Sequence, residues 1–273
     1  MKKWMTYLAG CGALCFMCAS AAFAAGDPYL SNPDAAAAGY DLAVAMNNVD
    51  NSRDSYSIGH MTIMRGSKKL LRSFELFTKE IGENKEEEHV LFSFFEPAEV
   101  KGTMYLEWTY EGLDKEDDLW VFLPSESMVR RINSSSKFSS FMRSDFTNED
   151  LENMDDVEEY TYLLRGSEVV DGIDCYILDR IPKEGKKTQY SKHIQWVRKD
   201  NLLRYKVEYY DKKGKMLKTM MFPTCELIDG IWSATTTTLE RADGKSRTEV
   251  VWDKMRYNVG LDDAMFEHSH LQR

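Results

Sequence analysis

From residue 55 to residue 257 the chain sets apolar and polar side chains in alternation, and short turn-forming strings interrupt the alternation. Tyr56, Ile58 and His60 alternate with Ser57, Gly59 and Met61. The same style recurs over 70–81, 89–96, 102–110, 119–123, 128–132, 160–170, 175–181, 193–198, 203–210, 216–225, 231–240 and 247–257. Successive strand side chains point to opposite faces, so a period of two specifies a strand with two distinct faces. The Val, Ile, Thr, Tyr, Phe and Trp in these stretches suit a half-buried pleated surface. The separators are hairpin chemistry: Asp171-Gly172, Asp229-Gly230, Asp243-Gly244 and the longer Asp211-Lys212-Lys213-Gly214. Links this short make neighbours antiparallel. About a dozen consecutive strands must curl or split. The expected fold class is therefore mainly β, a curved antiparallel sheet forming an incomplete barrel. The prolines from Pro28 to Pro223 are expected at element ends.

Two segments break the period. Asn32-Pro33-Asp34 reads as a helix start, with Asn32 as N-cap and Pro33 in the first helical position, and the helix runs on through 35–46. Residues 133–157 are too long for a hairpin yet carry Phe138, Phe141, Met142 and Phe146 among serines and acids. Thr147 to Asp150 resembles a capping start for a short helix. A long loop with apolar side chains is either a lid over a binding site or a plug in its own core.

The N-terminus carries a secretory-signal pattern: Lys2 and Lys3, an uncharged run over 4–20, then Ala22-Phe23-Ala24. Cleavage is expected after Ala24, leaving one domain over 25–273 in the periplasm without an acyl group. Leu8-Ala9-Gly10-Cys11 also matches a lipobox, which would instead tether the chain through a lipidated Cys11. Removal of 1–24 takes three of the five cysteines and leaves Cys175 and Cys225. An oxidising compartment permits a bridge between them; two separate thiols remain equally open. The net charge of −10, which losing Lys2 and Lys3 deepens, opposes nucleic acid and anionic lipid surfaces as partners.

Little in the sequence points to catalysis. His60, His89 and His193 fall in expected strands as satisfied sheet residues, and His268 and His270 at an expected frayed end. None has the helical i, i+4 spacing of a zinc site, and no phosphate or dinucleotide loop is present. The acidic runs at 83–88, 114–118 and 149–159 read as solvated turns and fit no calcium loop. No cofactor and no metal are expected, and the chain is read as a non-enzyme. Cys175 and Cys225 lie beside no histidine or basic cluster and are expected to be dispensable.

Several strands are apolar on both faces. Phe92 and Phe94 oppose Leu91 and Phe95; Met104, Leu106, Trp108 and Tyr110 share a face; 119–123 reads Leu-Trp-Val-Phe-Leu. A sheet with one wet face alternates more cleanly. Either another segment covers the second face, or the concave side encloses something apolar. The residues expected to line such a hollow and its lid are Ile58, Phe92, Phe94, Leu106, Trp108, Trp120, Phe122, Phe141, Met142 and Trp196.

Longer strings carry a resemblance. They are residues 95–103 (FEPAEVKGT), 119–124 (LWVFLP), Arg130-Arg131-Ile132, 140–146 (SFMRSDF), 171–176 (DGIDCY), Tyr190-Ser191-Lys192, Trp196-Val197 and Asp262. In order and over nearly the whole chain after residue 24, they resemble the bacterial outer membrane lipoprotein-sorting protein family, itself similar to the carrier LolA and receptor LolB. One departure is Arg143, where glycine is expected. The resemblance implies an incomplete barrel closed by an N-terminal helix and a helical or loop lid. It also implies that lipid, or the acyl chains of lipoproteins, bind in the hollow, with an inner-membrane transporter and an outer-membrane receptor as partners. The alternative is a non-catalytic partner module of an RND- or ABC-type exporter.

Overall fold

The computed structural model describes residues 27–82, 87–110, 115–133, 136–151 and 157–272. The expected signal peptide, its cleavage site and the lipobox lie outside the described residues. Helix α1 spans Ala35–Asn47. Its N-cap is Asp34, whose carboxylate accepts from the amides of Ala36 and Ala37 at 3.0 and 3.1 Å. The expected cap, Asn32, instead accepts from the Asp34 amide, and Pro33 precedes the helix. Asp suits an N-cap as well as Asn does, and here it is the residue that meets the free amides.

Thirteen strands follow: β1 (Asp54–Arg65), β2 (Lys68–Ile81), β3 (Glu87–Glu96), β4 (Met104–Tyr110), β5 (Asp118–Leu123), β6 (Met128–Ile132), β7 (Tyr160–Val170), β8 (Ile173–Pro182), β9 (Tyr190–Arg198), β10 (Arg204–Asp211), β11 (Met216–Ile228), β12 (Ile231–Arg241) and β13 (Ser246–Tyr257). They form one sheet in the order β6-β5-β4-β3-β2-β1-β13-β12-β11-β10-β9-β8-β7. Every pairing is antiparallel. The ladder between β1 and β13 closes the long-range half, so the free edges are β6 and β7. These edges are consecutive in sequence, and the linker that joins them is described over 136–151. Pro223 departs from the expected element ends: it sits inside β11 where the register shifts between Met221 and Thr224. A bulge tolerates a residue that cannot donate to the ladder.

Register assigns the two faces. Ile63, Phe74, Phe92, Phe94, Val207, Met220, Leu239 and Val250 lie on one face and form the largest buried cluster. The linker docks on this face. It folds back on itself through the Ser140↔Thr147 bridge, yet touches β4 through Tyr105, β13 through Thr248, β11 through Lys218 and β9 through Tyr190. From β4 to β9 a flat sheet would extend about 38 Å at ordinary strand spacing. A compact loop reaches all of these strands because the sheet curls around it, so this face is the concave one.

Helix α1 covers the far end of the same face. Leu42, Ala43 and Met46 pack on Tyr160, Tyr162, Leu164, Tyr176 and Leu178. Contact is close because Gly39 has no side chain: a Cβ there would lie 2.9 Å from the backbone nitrogen of Leu164. Backbone cannot swing aside as a side chain does, so Gly39→Val should lift α1 from β7. We expect a loss of about 1–3 kcal/mol, read from the urea midpoint; an unchanged midpoint would show that helix and sheet are not tightly seated.

The C-terminus covers the convex face of β3 to β5. Asp54 accepts from the amides of Val259 at 2.6 Å, Gly260 at 3.0 Å and Leu261 at 2.9 Å, which fixes where the segment turns onto the sheet. Phe266 and Leu271 then bury themselves among Leu91, Leu106, Trp108, Trp120 and Phe122. The Trp108 indole donates to the Phe266 carbonyl at 2.9 Å, and His268 stands edge-on to Trp120. The end of the chain, expected to fray, is a packed cover.

Candidate functional site

The concave face has two unlike halves. Around β1 to β4 it is apolar, and the linker fills it. Phe141 is 1% exposed and lies with ring centroids 5.4 Å from Phe92, 5.9 Å from Phe94 and 4.8 Å from Tyr105. Half-buried Met142 receives the Tyr105 hydroxyl on its sulfur at 3.4 Å. The turn that delivers both residues has left-handed backbone at Met142 (φ 48°) and Arg143 (φ 63°). Such angles favour glycine, which explains why the family string leads one to expect glycine at 143; here Arg143 adopts the left-handed conformation itself. The Arg143 carbonyl accepts from Arg65 at 2.8 Å. Deeper in the linker, Asp145 exchanges two hydrogen bonds with Thr248, at 3.0 and 2.7 Å.

Around β8 to β11 the concave face is polar. The Arg180 guanidinium lies 3.4 Å from the Tyr160 ring centroid and 3.4 Å from Nδ1 of His193. His193 is wedged between Tyr190 and Tyr209. Burial, then the charges of Arg180, Lys218 and Arg204, hold its pKa well below the usual imidazole range, so it stays neutral. Its Nε2 and the Gln195 amide nitrogen are buried without a hydrogen-bond partner among the described residues. His193 is therefore not the satisfied sheet histidine expected.

The linker locks into this polar half. Lys218 pairs with Asp150, which also accepts from the Tyr190 hydroxyl at 2.7 Å. Glu149 takes the Thr188 hydroxyl and the Gln189 side chain; burial raises its pKa despite those donors. The Thr147 amide donates to Asp150 at 2.6 Å, as a capping start would, at the head of a short 3-10 turn (Asn148–Leu151). Glu149 and Asp150, expected in a solvated run, are thus buried anchors. Pairing with groups about forty and seventy residues away left no local signal for this in the sequence.

The ten expected lining residues do not converge. Phe92, Phe94, Phe141 and Met142 meet on the concave face. Leu106, Trp108, Trp120 and Phe122 lie beneath the C-terminal cover on the convex face. Trp196 joins Cys175, Ile194 and Tyr205 in another convex cluster, and Ile58 also falls on that side, opposite Glu75. The expectation of one hollow lined by all ten is corrected: a second face that is apolar because the C-terminus covers it reads in sequence like the wall of a cavity. Cys175 and Cys225 are unbridged, and burial pushes the Cys175 thiol up to about 11.

A separate pocket opens at the seam between the sheet edges. It has a volume of about 330 Å³ and is bounded by Glu107 of β4, residues 115–117 ahead of β5, the end of β6, Lys137 of the linker and the β8–β9 turn. Lys187 and Glu116 pair across it. Among the described residues no group of His, Cys, Asp and Glu is placed to hold a metal ion, and no helix is long and apolar enough to cross a membrane.

A family model described only as an uncharacterized protein matches residues 86–273. A DUF1329 family protein from Desulfovibrio piger, known from its crystal structure, is 57% identical; the match covers 88% of this chain and 100% of that one, with a TM-score of 0.86. A candidate outer membrane lipoprotein-sorting protein domain from Vibrio parahaemolyticus is 29% identical over 87% of this chain and 100% of its own, with a TM-score of 0.81. A LolA superfamily protein from Nitrosomonas europaea, 21% identical over 86% and 99% of the two chains, shares the fold at a TM-score of 0.66. No curated protein matches.

Proposed function

The chain belongs to the DUF1329 family, and from that premise we propose that it is a non-catalytic periplasmic carrier, acting as one domain over 25–273. It takes up lipid, or the acyl chains of lipoproteins, on the concave face of its sheet. The observation that carries this reading is the linker: the segment joining the two free edges is the same segment that fills the apolar half of the concave face with Phe141. A removable plug leaves behind it a wall of Phe92, Phe94, Tyr105 and Phe74, in which an acyl chain escapes a cost of about 0.8 kcal/mol per exposed CH₂. Uptake then needs no chemistry, only exchange of one apolar occupant for another. Hand-over follows when a partner with a more apolar site accepts the chain, and sorting of lipoproteins or lipids toward the outer membrane is the task such exchange serves. The likeness to a lipoprotein-sorting domain and to a LolA superfamily protein supports this direction.

The test is direct. Protein purified from the periplasm, extracted with organic solvent and analysed by mass spectrometry, should release stoichiometric lipid. The extracted protein should then bind a fluorescent fatty acid saturably, near one per chain. Absence of both extracted lipid and saturable binding would sink the carrier reading.

A further inference from the structure

Acyl-chain binding leaves the seam pocket unused. The charges around it are largely matched: Lys187 with Glu116, Lys186 with Glu159, and Lys137 with Asp117 at 3.8 Å. Glu107 differs. It is 3% exposed and lines the pocket, yet its carboxyl group makes no hydrogen bond or ion pair among the described residues. A buried carboxyl group without a partner is costly and uncommon in a native protein. This one faces a space large enough to admit the partner it lacks.

Its position on β4 joins that space to the interior. In register, Glu107 stands between Val90 of β3 and Leu119 of β5, so it belongs to the concave face. Tyr105, two residues along the same strand, touches Phe141. A polar pocket thus opens directly beside the apolar wall, the layout an amphiphile requires: a head in one, tails along the other. Resting on the carrier reading above, we propose that the seam pocket receives a primary ammonium, the headgroup of an ethanolamine-type phospholipid, with Glu107 as its carboxylate partner.

Protonation fits this assignment. Burial, and then the negative charge of Asp117, push Glu107 up to about 8, while Lys137 opposes them. The other charged groups facing the pocket are Lys115 and Glu116 ahead of β5, Arg131 of β6, and Glu159, Lys186 and Lys187 from the β7–β9 end. At pH 7 the empty site holds a neutral carboxylic acid. An incoming ammonium draws out the carboxylate, and the proton leaves to water. Headgroup affinity should therefore rise from pH 6 to pH 8. Glu107→Gln keeps the shape without a charge to bury. It should fold at least as well as the wild type, because a carboxyl whose pKa is raised on folding costs stability as pH climbs from its ordinary value toward 8.

The experiment titrates the full chain, wild type and Glu107→Gln, with phosphatidylethanolamine and phosphatidylglycerol labelled on an acyl chain, with a labelled fatty acid, and with acyl-free glycerophosphoethanolamine. The wild type should prefer phosphatidylethanolamine to phosphatidylglycerol by about tenfold or more, the scale of one hydrogen bond to a charged group. Glu107→Gln should abolish that preference and leave fatty-acid binding unchanged. Equal binding of the two phospholipids by the wild type, or an unchanged preference in Glu107→Gln, overturns the assignment while the carrier reading survives. Glycerophosphoethanolamine binding that depends on Glu107, with no acyl probe bound, upholds the ammonium site as one for a free headgroup and overturns the carrier reading. Binding of no probe overturns both.

Discussion

Phe141→Ala is expected to lose about 3–5 kcal/mol of stability to urea or heat, the cost of truncating a fully buried aromatic ring, and yet to bind a fluorescent fatty acid more tightly than the wild type. The first half follows from packing. Phe141 contacts Phe92, Phe94 and Tyr105, and the backbone that carries it is held by the Asp145–Thr248 pair, so little can collapse into the space it leaves. The second half follows from linkage. If the acyl chain takes the place of the plug, apparent affinity is the intrinsic affinity reduced to the fraction of molecules with the plug out. Each 1.4 kcal/mol removed from the closed state then raises apparent affinity about tenfold, until the open state predominates. Phe138, in the same linker but 39% exposed, supplies the control: Phe138→Ala should move neither quantity appreciably. Denaturation and titration on the same preparations separate the possibilities. A destabilised Phe141→Ala with weaker binding would make the ring part of the ligand's wall, not its competitor.

Most of the architecture was legible in the chain because strand periodicity and turn chemistry are local. All thirteen strands fall where alternation placed them, and Asp171-Gly172, Asp229-Gly230 and Asp243-Gly244 turn the hairpins they were expected to turn. The strings around Phe141 and Asp171 pointed to the lipoprotein-sorting likeness that the solved structures bear out. What could not be read was which face was inside. Phe92 and Leu91 are adjacent, apolar and both buried, one on the concave wall and one under Phe266 and Leu271. Periodicity says that they oppose each other; only the long-range docking of the linker and the C-terminus says what each one meets. The same limit hid the buried acids. Glu149, Asp150 and Glu107 sit among other charges in sequence, and nothing nearby reveals that the first two reach Thr188 and Lys218 across the sheet, or that the third lies at the closing seam.

The ion pair between Asp150 and Lys218 carries the second large expected effect. Both side chains are buried, and the carboxylate also holds the Tyr190 hydroxyl and the Thr147 amide. Asp150→Ala strands the Lys218 ammonium in a site where burial already holds neighbouring His193 neutral. Removing one member of such a pair costs about 3–5 kcal/mol, because the remaining charge has lost its compensation. Replacing both members is different: Asp150→Leu with Lys218→Met leaves no charge to strand and should recover most of that loss. Among the described residues, the linker would then be held on the polar half by the bonds of Glu149 and Thr147 to Thr188 and Gln189. A double-mutant cycle in urea measures the coupling, expected to be larger than the 0.5–1.5 kcal/mol typical of an ordinary hydrogen bond. Amide exchange over residues 141–151 locates it: the single variant should expose these amides well before the sheet, because Asp150 is where the linker is fastened to β9 and β11. Exchange that rises evenly across β9, β11 and the linker would mean that the pair stabilises the sheet as a whole, and would remove Asp150 as the latch of the plug.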